Sequence, residues 1–549
     1  MAKVEQTRER MRPLGVLIPI ALAVAIMMPR LLSAQFGFFD DPVSISTARH
    51  ILSGEWSLAN EGGTGRFRPL YWLYFAGLYG IAGERPFWFF LGNLLLLCAE
   101  GVLLARLVRK FAARHWGAGA AGILFLLSGP VIESTYTLSK PELLQAFFLM
   151  VWLSTASAAG ERDRRSWHKV ALGSLAVFLG CCTKETAMVV LPIGLLWFAV
   201  DLYGRRSGWL AADQGTAPAY GLLASPILGT LMYLALRGAN EGGGILTGNY
   251  TGSFDFSPDW LIANTRIWLD LLVRDSVFVL PWLVAPALMI ISGKGRQNLR
   301  LLSFFAIWCT IWLAIYLPWR FTVEYYLLPF AIGIAALAGD LLASTAAAVS
   351  QTNRTYSIVA RTCLLAGGML FLLTIPNNIS NARLQLAVDS ANEEMLHFVT
   401  QQLPVGSLLY INIQEPNEYV ANFQTLVSEI EGRADIEVHS VSLGDLKQEQ
   451  DPFFVVSPVV ENQFYPSVRM GVYEHTSRAW NESLLSIIRG RETTMYQDLR
   501  RFPSSSIDAM RLFCPLVRWL PYCDVPNSPI DGRVFGYGWI VYRVSAPEG

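Results

Sequence analysis

Charged residues are scarce in this sequence, and their scarcity argues against a soluble protein. Only 16% of the 549 residues are Asp, Glu, Lys or Arg, whereas 53% are hydrophobic. Soluble domains carry about a quarter charged residues, so the composition predicts an integral membrane protein. The 43 basic residues balance 43 acidic ones. With no net charge and no basic block, the sequence gives no indication of nucleic-acid binding.

Cysteine and histidine are also few, with seven and six residues. No Cys and His cluster has the spacing of a zinc site, and no tandem repeat or low-complexity segment is present. Five cysteines lie in or at the ends of apolar segments, where they act as small hydrophobes: Cys98, Cys181, Cys182, Cys309 and Cys363. Near the C-terminus, Cys514 and Cys523 flank PLVRWLPY. These two cysteines could form a disulfide in an oxidising compartment or stay as two unpaired thiols, and the sequence does not decide between these alternatives.

Apolar runs are abundant and predict about eleven transmembrane helices. The first covers residues 13–34 and follows a basic segment. It ends in Leu32-Ser33-Ala34, a poor cleavage site because Leu32 is not small, so we expect an uncleaved anchor rather than a signal peptide. The other candidate spans are residues 87–107, 117–133, 141–159, 169–183, 187–203, 217–236, 276–292, 301–318, 326–344 and 361–377.

Short basic loops alternate with the other connections, and this alternation predicts the orientation. The basic loops, which should be cytoplasmic by the positive-inside rule, are residues 106–114, 162–169, 205–206, 294–300 and 354–361. The N-terminus is then cytoplasmic, while residues 35–86 and everything after about residue 377 are extracytoplasmic. Segment 69–83 is apolar, but a full span there would invert every later basic loop. We therefore expect an interfacial or partly inserted helix.

The composition changes after Pro376, and residues 377–549 are predicted to form an extracytoplasmic α/β domain. Helical stretches and short β-like runs alternate there: Ala387–Gln402, Ser407–Ile413, Glu418–Glu431, Ile436–Ser440, Phe453–Ser457 and Val534–Val544. The predicted fold is thus a polytopic α-helical membrane domain over residues 1–376 followed by this α/β domain. No long Lys/Arg tail or retention signal is present, so we expect the plasma (inner) membrane.

The first outer loop, residues 35–86, carries charges that need an explanation. Asp40 and Asp41 follow the first apolar segment, and Arg66 and Arg68 come a short loop later. A carboxylate at a helix centre costs about 2.5–3.5 kcal/mol on insertion scales, so acids near spans usually face water or serve a function. Capping of the next helix by Asp41 would explain one acid but not the pair. We therefore favour a functional interpretation.

Two further pairs place a cation and an acid at the outer end of a short span. They are Lys140 with Glu142, and Lys184 with Glu185. Side chains that snorkel to the interface are the alternative for one such pair. Two pairs on the same predicted side as the acidic pair favour a polar cavity that holds an anion and a hydroxylated group. Arg320 adds another cation beside an aromatic segment.

Three short motifs follow one another in the first part of the chain: Asp40-Asp41, Arg68-Pro69-Leu70 and Asn93-Leu94-Leu95. This order, over residues 13–345, resembles that of the GT-C class of membrane glycosyltransferases, in particular its protein O-mannosyltransferase-like branch. In that class an acidic pair follows the first span, Arg-Pro-Leu follows the loop and Asn-Leu-Leu opens the next span. Three later segments also resemble blocks of the class: SKPELLQAFFLM (139–150), CCTKETAMVVLP (181–192) and RFTVEYYLLP (320–329).

The resemblance implies transfer of a sugar from a polyprenyl-phosphate-linked donor to a protein, lipid or glycan acceptor on the outer face, with inversion. Such a reaction passes through an oxocarbenium-like state in which the leaving phosphate gains charge and the acceptor hydroxyl loses a proton. On this hypothesis Asp40 is the general base, and Asp41 orients the acceptor or helps to bind a cation.

The remaining charges have candidate roles on the same hypothesis. Four cations would stabilise the donor phosphate: Arg66, Arg68, Lys184 and Arg320. Three residues are candidates for other substrate contacts: Lys140, Glu142 and Glu185. A divalent cation, Mg²⁺ or Mn²⁺, stays open because two acids are adjacent, although nothing in the spacing requires one.

Two other functional classes stay open. A transporter or flippase of lipid-linked substrates would also place charges in polar cavities, but it would favour ionisable residues at mid-span. Here the charges cluster at the outer ends. A membrane-anchored sensor or scaffold would bind its ligand through the α/β domain alone and would not need Asp40.

Overall fold

The structure is a computed structural model of the chain. It describes residues 14–38, 40–56, 66–111, 115–156, 166–207, 220–240, 254–291, 299–320, 324–350, 353–412, 417–441, 446, 449, 451–461, 478–503 and 534–546. Cys514 and Cys523, and with them the disulfide left open above, lie outside the described residues.

The apolar segments of the N-terminal part are helices, as the sequence predicts. The first eight helices are α1 Leu14–Leu32, α2 Asp41–Ser53, α3 Pro69–Ala82, α4 Pro86–Phe111, α5 His115–Leu126, α6 Gly129–Tyr136, α7 Pro141–Ala156 and α8 Ser166–Thr183. The next seven are α9 Val190–Arg206, α10 Tyr220–Asn240, α11 Pro258–Ser276, α12 Val279–Ile291, α13 Leu299–Tyr316, α14 Leu328–Ala348 and α15 Arg354–Gln402. Short 3₁₀ segments, Glu185–Val189 and Glu324–Leu327, precede α9 and α14.

Several helices have the length and apolar character needed to cross a membrane. Within the described residues, five segments meet both conditions: Pro86–Arg109, Glu185–Gly204, Tyr220–Asn240, Glu324–Ala348 and Arg354–Pro376. Helices α5 and α6 form a sixth candidate that bends by 55°. Shorter apolar helices fall in the other predicted segments, and the count of about eleven spans stays a prediction.

Helix α3 occupies the segment expected to be interfacial. It has 14 residues, which gives a length of about 21 Å, shorter than the roughly 30 Å of a hydrocarbon core. Its residues Tyr71, Phe75 and Ala76 are buried. The placement of α3 at the membrane surface stays a prediction.

Small residues and stacked tryptophans close the packing of the helical bundle. A Cβ added to Gly117 of α5 would lie 2.7 Å from the carbonyl oxygen of Gly339 in α14, so these two helices approach closely only because both positions are glycine. Trp152 and Trp308 stack with ring centroids 6.2 Å apart. Trp308 also donates its indole N–H to the carbonyl of Pro329 at 2.7 Å.

Helix α15 joins the bundle to the C-terminal part. It runs for 49 residues without a break at Pro376, the predicted domain boundary. A helix of that length spans about 74 Å, more than twice the hydrocarbon thickness, so its second half must extend beyond the membrane. The predicted stretch Ala387–Gln402 is the end of this helix.

The described residues of the C-terminal part form a five-stranded mixed sheet flanked by short helices. The elements are β1 Leu408–Ile411, α16 Asn417–Thr425, β2 Glu437–Ser440, β3 Phe453–Glu461, α17 Arg478–Ile488, β4 Glu492–Pro503 and β5 Val534–Val544. A π-helical turn, Leu426–Ile430, extends α16. The strand order is β2-β1-β3-β5-β4. Strand β1 is parallel to β2 and β3, whereas β5 is antiparallel to β3 and β4.

The sheet has an apolar core on each face. One core contains Leu409, Val456 and Trp539 and packs against α15 and α16. The other contains Phe453, Leu484 and Val544 and packs against α17. Two elements, α17 and β4, were not predicted from the sequence. Strand β4 is an edge strand with the sequence ETTMYQDLRRFP, whose polar residues hide the apolar alternation of a buried strand.

Candidate functional site

Asp41 is buried at the start of α2, with 3% of its surface exposed. Its two carboxylate oxygens accept hydrogen bonds from the backbone N–H of Gly37 at 2.7 Å and of Ser139 at 3.0 Å. Burial raises the pKa of Asp41 to about 6, against the lowering effect of these hydrogen bonds and of Lys140. Asp41 therefore does not cap its own helix but ties the loop after α1 to the segment before α7.

Asp40 is the more accessible of the two acids. Its side chain is 29% exposed, and its carboxylate lies 2.8 Å from the ammonium of Lys140, which is 5% exposed. The backbone of Asp40 has φ 65° and ψ −33°, a conformation that costs a non-glycine residue about 1–3 kcal/mol and that persists only where the surroundings impose it. The strained residue thus presents its carboxylate beside a buried cation.

A chain of hydrogen-bonded hydroxyl groups lies next to Asp41. The Ser139 hydroxyl donates to that of Ser44 at 3.0 Å. The Ser44 hydroxyl is in turn 3.2 Å from the phenol oxygen of Tyr71 in α3. Polar contacts next to Asp41 therefore link helix α2, helix α3 and the segment before α7.

Lys184 and Glu142 form a second, more deeply buried ion pair. Glu142 has no exposed surface, and the Lys184 side chain is 11% exposed. The ammonium also lies 4.2 Å from the ring centroid of Tyr326, a cation–π contact. Gln145 donates to the carbonyl of Lys184 at 3.2 Å and fixes the backbone there. Contacts from two other segments thus hold the Lys184 ammonium: α7 contributes Glu142, and the 3₁₀ segment before α14 contributes Tyr326.

Two adjacent tyrosines connect the ion pairs. The Lys140 ammonium lies 5.1 Å from the ring centroid of Tyr325, next to the Tyr326 that contacts Lys184. Both tyrosines belong to the 3₁₀ segment before α14. The predicted site residues Asp40, Lys140, Glu142 and Lys184 therefore surround one short segment, which the sequence identified only as an aromatic motif.

The segment of Arg66 and Arg68 is fixed to the same region through the residue between them. Phe67 is fully buried, and its backbone N–H donates to the Glu185 carboxylate at 2.8 Å. Its carbonyl accepts a hydrogen bond from the Tyr233 hydroxyl at 3.1 Å. Because the backbone of Phe67 is held on both sides, the half-buried Arg66 and Arg68 extend from a fixed backbone beside the Glu185 carboxylate.

Arg68 and Arg320 have further contacts that set their direction. The Arg68 guanidinium lies 5.3 Å from the ring centroid of Tyr71, within the polar network under Asp41. Arg320 is 52% exposed and pairs with Asp255 at 3.2 Å, so its guanidinium is directed to the segment before α11 rather than to an acid of the cluster. Its neighbour Trp319 contacts Tyr326, with centroids 6.5 Å apart.

These contacts define an acid–cation cluster, which consists of Asp40, Asp41, Lys140, Glu142, Lys184, Glu185, Arg66 and Arg68. It lies where α2, α3, α7 and α9 begin. Among the residues that the structure describes, no three His, Cys, Asp or Glu side chains are close enough to hold a metal ion. The cluster combines an accessible carboxylate with cations in a largely buried setting, an arrangement that suits an anionic substrate with a nearby hydroxyl.

Sequence reasoning missed the residues that hold the cluster in place. Ser139 and the two tyrosines lie inside motifs that resembled known blocks, but only their charged neighbours were singled out. Ser44 and Tyr71 carry no local signal, because a hydroxyl on a helix is ordinary. Their partners are 27 to 95 residues away in the chain, a separation that periodicity cannot bridge.

Comparison with known proteins finds similar folds among solved structures. The ArnT protein of Cupriavidus metallidurans in the apo state is 11% identical, with a TM-score of 0.50 over 80% of this chain and 92% of that chain. ArnT bound to undecaprenyl phosphate is 10% identical, with a TM-score of 0.48 over 97% and 99% of the two chains. The apo oligosaccharyltransferase of Archaeoglobus fulgidus is 11% identical, with a TM-score of 0.49 over 97% and 94%.

No protein-family model matches the sequence, and no curated protein sequence matches it. At 11% identity the similarity to ArnT concerns the fold alone. That fold agrees with the one expected from the motif order, a polytopic helical membrane protein with a small sheet domain. The chain therefore shares its fold with ArnT, as the resemblance of its motif order to the GT-C class implied.

Proposed function

We propose that this protein is a membrane glycosyltransferase that moves a sugar from a polyprenyl-phosphate-linked donor to an acceptor hydroxyl on the extracytoplasmic face, with inversion. The observation that carries the proposal is the acid–cation cluster itself. An accessible carboxylate, Asp40, stands beside one buried cation, Lys140, in a fold similar to that of ArnT. A sugar phosphate and an acceptor hydroxyl need these two kinds of group within one site.

Asp40 acts as the general base in this proposal. It is strained, partly exposed and directed by Lys140, so its carboxylate has one well-defined position from which to take the proton of the acceptor hydroxyl. Asp41 has both oxygens engaged by backbone amides. This supports a role for Asp41 in holding the loop, and favours it over direct contact with the acceptor.

Lys184, Arg66 and Arg68 stabilise the leaving phosphate. As the bond between sugar and phosphate breaks, negative charge grows on the phosphate oxygens, and charge-assisted hydrogen bonds strengthen in a site that excludes water. Glu142 holds Lys184 in place, and Glu185 holds the backbone between the two arginines. Lys140 directs the base, whereas Arg320 is directed to Asp255 and is assigned no contact with the donor phosphate in this proposal.

The proposal is tested with the full-length protein in nanodiscs, a panel of radiolabelled polyprenyl-phosphate sugars and a membrane extract as acceptor. Wild type is compared with Asp40→Asn, a near-isosteric change that removes the base. Asp451→Asn, at an exposed position before β3, is the matched control. We expect transfer by wild type and by the control, and its loss in Asp40→Asn with folding intact.

Two results would count against the proposal. Undiminished transfer by Asp40→Asn would leave the enzyme but remove Asp40 as its base. Absence of transfer with every donor, together with movement of labelled lipid between the leaflets of proteoliposomes, would replace the transferase by a flippase.

A further inference from the structure

A phenylalanine of the loop that carries the acidic pair lies inside the core of the α/β domain. Phe38 is 6% exposed and belongs to the core that packs against α15 and α16. Its ring stacks on Phe423 of α16, with centroids 4.9 Å apart, and on Trp539 of β5, at 5.5 Å. Since Phe38 precedes Asp40 by two residues, the α/β domain contacts the loop immediately before the strained acid.

The receiving pocket for Phe38 is itself fixed by hydrogen bonds. Asn392 of α15, which is 4% exposed, accepts from the indole N–H of Trp539 at 2.8 Å and from the hydroxyl of Tyr537 at 2.6 Å. The carboxamide of Asn392 therefore orients the aromatic side chains of β5, and Phe38 meets a rigid surface rather than a mobile one.

Contacts on both sides of Phe38 repeat the attachment. Before it, Gln35 donates to Glu393 of α15, and its carbonyl accepts from Arg30 at 3.3 Å. Arg30 pairs with Asp389 of α15 at 2.8 Å, with both side chains buried. After it, Arg49 of α2 reaches the Glu429 carbonyl at 3.3 Å. The domain thus holds the chain before and after Asp40.

We propose that Phe38 is a positioning residue for Asp40. The α/β domain contributes to catalysis because it binds the Phe38 side chain and so fixes the loop that carries Asp40. This inference rests on the proposed function. The backbone at Asp40 has a positive φ, which an unrestrained loop would leave. Asp41 fixes the loop on the membrane side through Ser139, and Phe38 fixes it on the domain side. Loss of either anchor lets Asp40 relax and moves its carboxylate.

The test compares two aromatic truncations that remove the same contact from opposite sides, Phe38→Ala in the loop and Phe423→Ala in the domain. The matched control is Phe453→Ala, which empties the core on the opposite face of the sheet, where Phe453 is fully buried and does not meet the loop. Phe38→Leu, which keeps an apolar side chain in the pocket, serves as the conservative variant. All are measured as full-length protein in nanodiscs.

We expect Phe38→Ala and Phe423→Ala to lower kcat by about 10-fold to 100-fold, because a displacement of about 1 Å at the reacting groups has that effect. The KM for the donor should stay nearly unchanged, since the phosphate contacts are elsewhere. The double variant should be no slower than the slower single one, because both remove one contact. Phe453→Ala should keep the kcat of its folded fraction, and Phe38→Leu should recover most of the activity.

Hydrogen exchange of the peptide covering residues 40–52 tests the positioning without any turnover. Exchange should rise in Phe38→Ala and Phe423→Ala and stay at the wild-type level in Phe453→Ala. Unchanged exchange in both truncations would overturn the inference, and so would raised exchange with wild-type kcat. If no donor supports transfer, the proposed function fails while the exchange result still decides whether the domain holds the loop. If Phe38→Ala does not fold, Phe423→Ala and Phe38→Leu carry the same comparison.

Discussion

Breaking the buried ion pair between Lys184 and Glu142 should destabilise the protein more than removing the pair altogether. Each single change leaves one uncompensated charge in a site that is almost closed to water. Such a loss costs about 3–5 kcal/mol, whereas replacing both partners by apolar side chains of similar size is often neutral or stabilising. We therefore expect Lys184→Met and Glu142→Gln to lose stability by that order, and Lys184→Met with Glu142→Leu to recover most of it.

The measurement is equilibrium or thermal unfolding of purified protein in one detergent, with transfer activity measured in parallel. The control is Glu437→Gln, because Glu437 pairs with His439 on the exposed surface of the α/β domain. A surface pair contributes only about 0–1 kcal/mol. The same chemical change, Glu to Gln, is thus made at a buried and at an exposed pair.

Activity separates the two purposes that the pair can serve. If Lys184 contacts the donor phosphate, the stable double variant should still lack transfer, because an apolar pair offers no charge to the leaving group. If the double variant is stable and active, the pair is structural and Lys184 is not a phosphate contact. If the double variant is as unstable as the singles, an uncompensated buried charge is not what destabilises the single variants.

Three further outcomes follow from the geometry of the loop. Burial raises the pKa of Asp41 to about 6 from an ordinary 3.8, so this carboxyl favours folding below about pH 4 and loses that contribution as the pH rises through 6. The stability of wild type relative to Asp41→Asn, from thermal unfolding at several pH values, should fall by roughly 3 kcal/mol over this range. Asp40→Gly should be more stable than Asp40→Asn by about 1 kcal/mol in the same assay, since glycine accepts the positive φ without strain, and neither should transfer sugar. Glu185→Gln keeps an oxygen acceptor for the N–H of Phe67 and should retain activity in the transfer assay, whereas Glu185→Ala should lose it.

Apolar periodicity and run length predicted most of the fold. The long apolar segments are helices because a chain in an apolar environment must satisfy its backbone hydrogen bonds within the segment, and length and hydropathy alone reveal such segments. Four of the five described strands were predicted from short β-like runs, because β1, β3 and β5 are rich in apolar residues and the run that contains β2 alternates Ile436 and Val438 with polar residues. The edge strand β4 was not predicted, because its sequence is mostly polar.

Breaks between elements were less predictable. Pro376 marked the predicted end of the membrane domain, but α15 continues through it to Gln402. A proline removes one backbone hydrogen bond and does not end a helix whose packing continues on both sides. The amino-acid composition changes where the helix leaves the apolar environment, but the helical conformation of the backbone continues beyond that point.

The candidate site was predicted as a set of charges but not as an arrangement. The charged residues were identified because ionisable side chains beside apolar runs are rare and costly. Their partners were not identified. Asp41 bonds to the backbone of Ser139, and Glu185 bonds to that of Phe67. A backbone N–H is present at every residue except proline, so no sequence pattern distinguishes the one that binds a carboxylate.

The position of Asp40 can be understood as a balance between local strain and two distant anchors. The backbone conformation of Asp40 costs about 1–3 kcal/mol. Burial of a side chain such as Phe38 contributes about 1.5–3 kcal/mol, and the hydrogen bond from the Ser139 N–H to the Asp41 carboxylate contributes about 1.5–3 kcal/mol. One anchor would roughly offset the strain, and two exceed it clearly. The strained geometry is therefore a property of the folded bundle and the docked α/β domain together, since the two anchors of the loop come from different units of the chain.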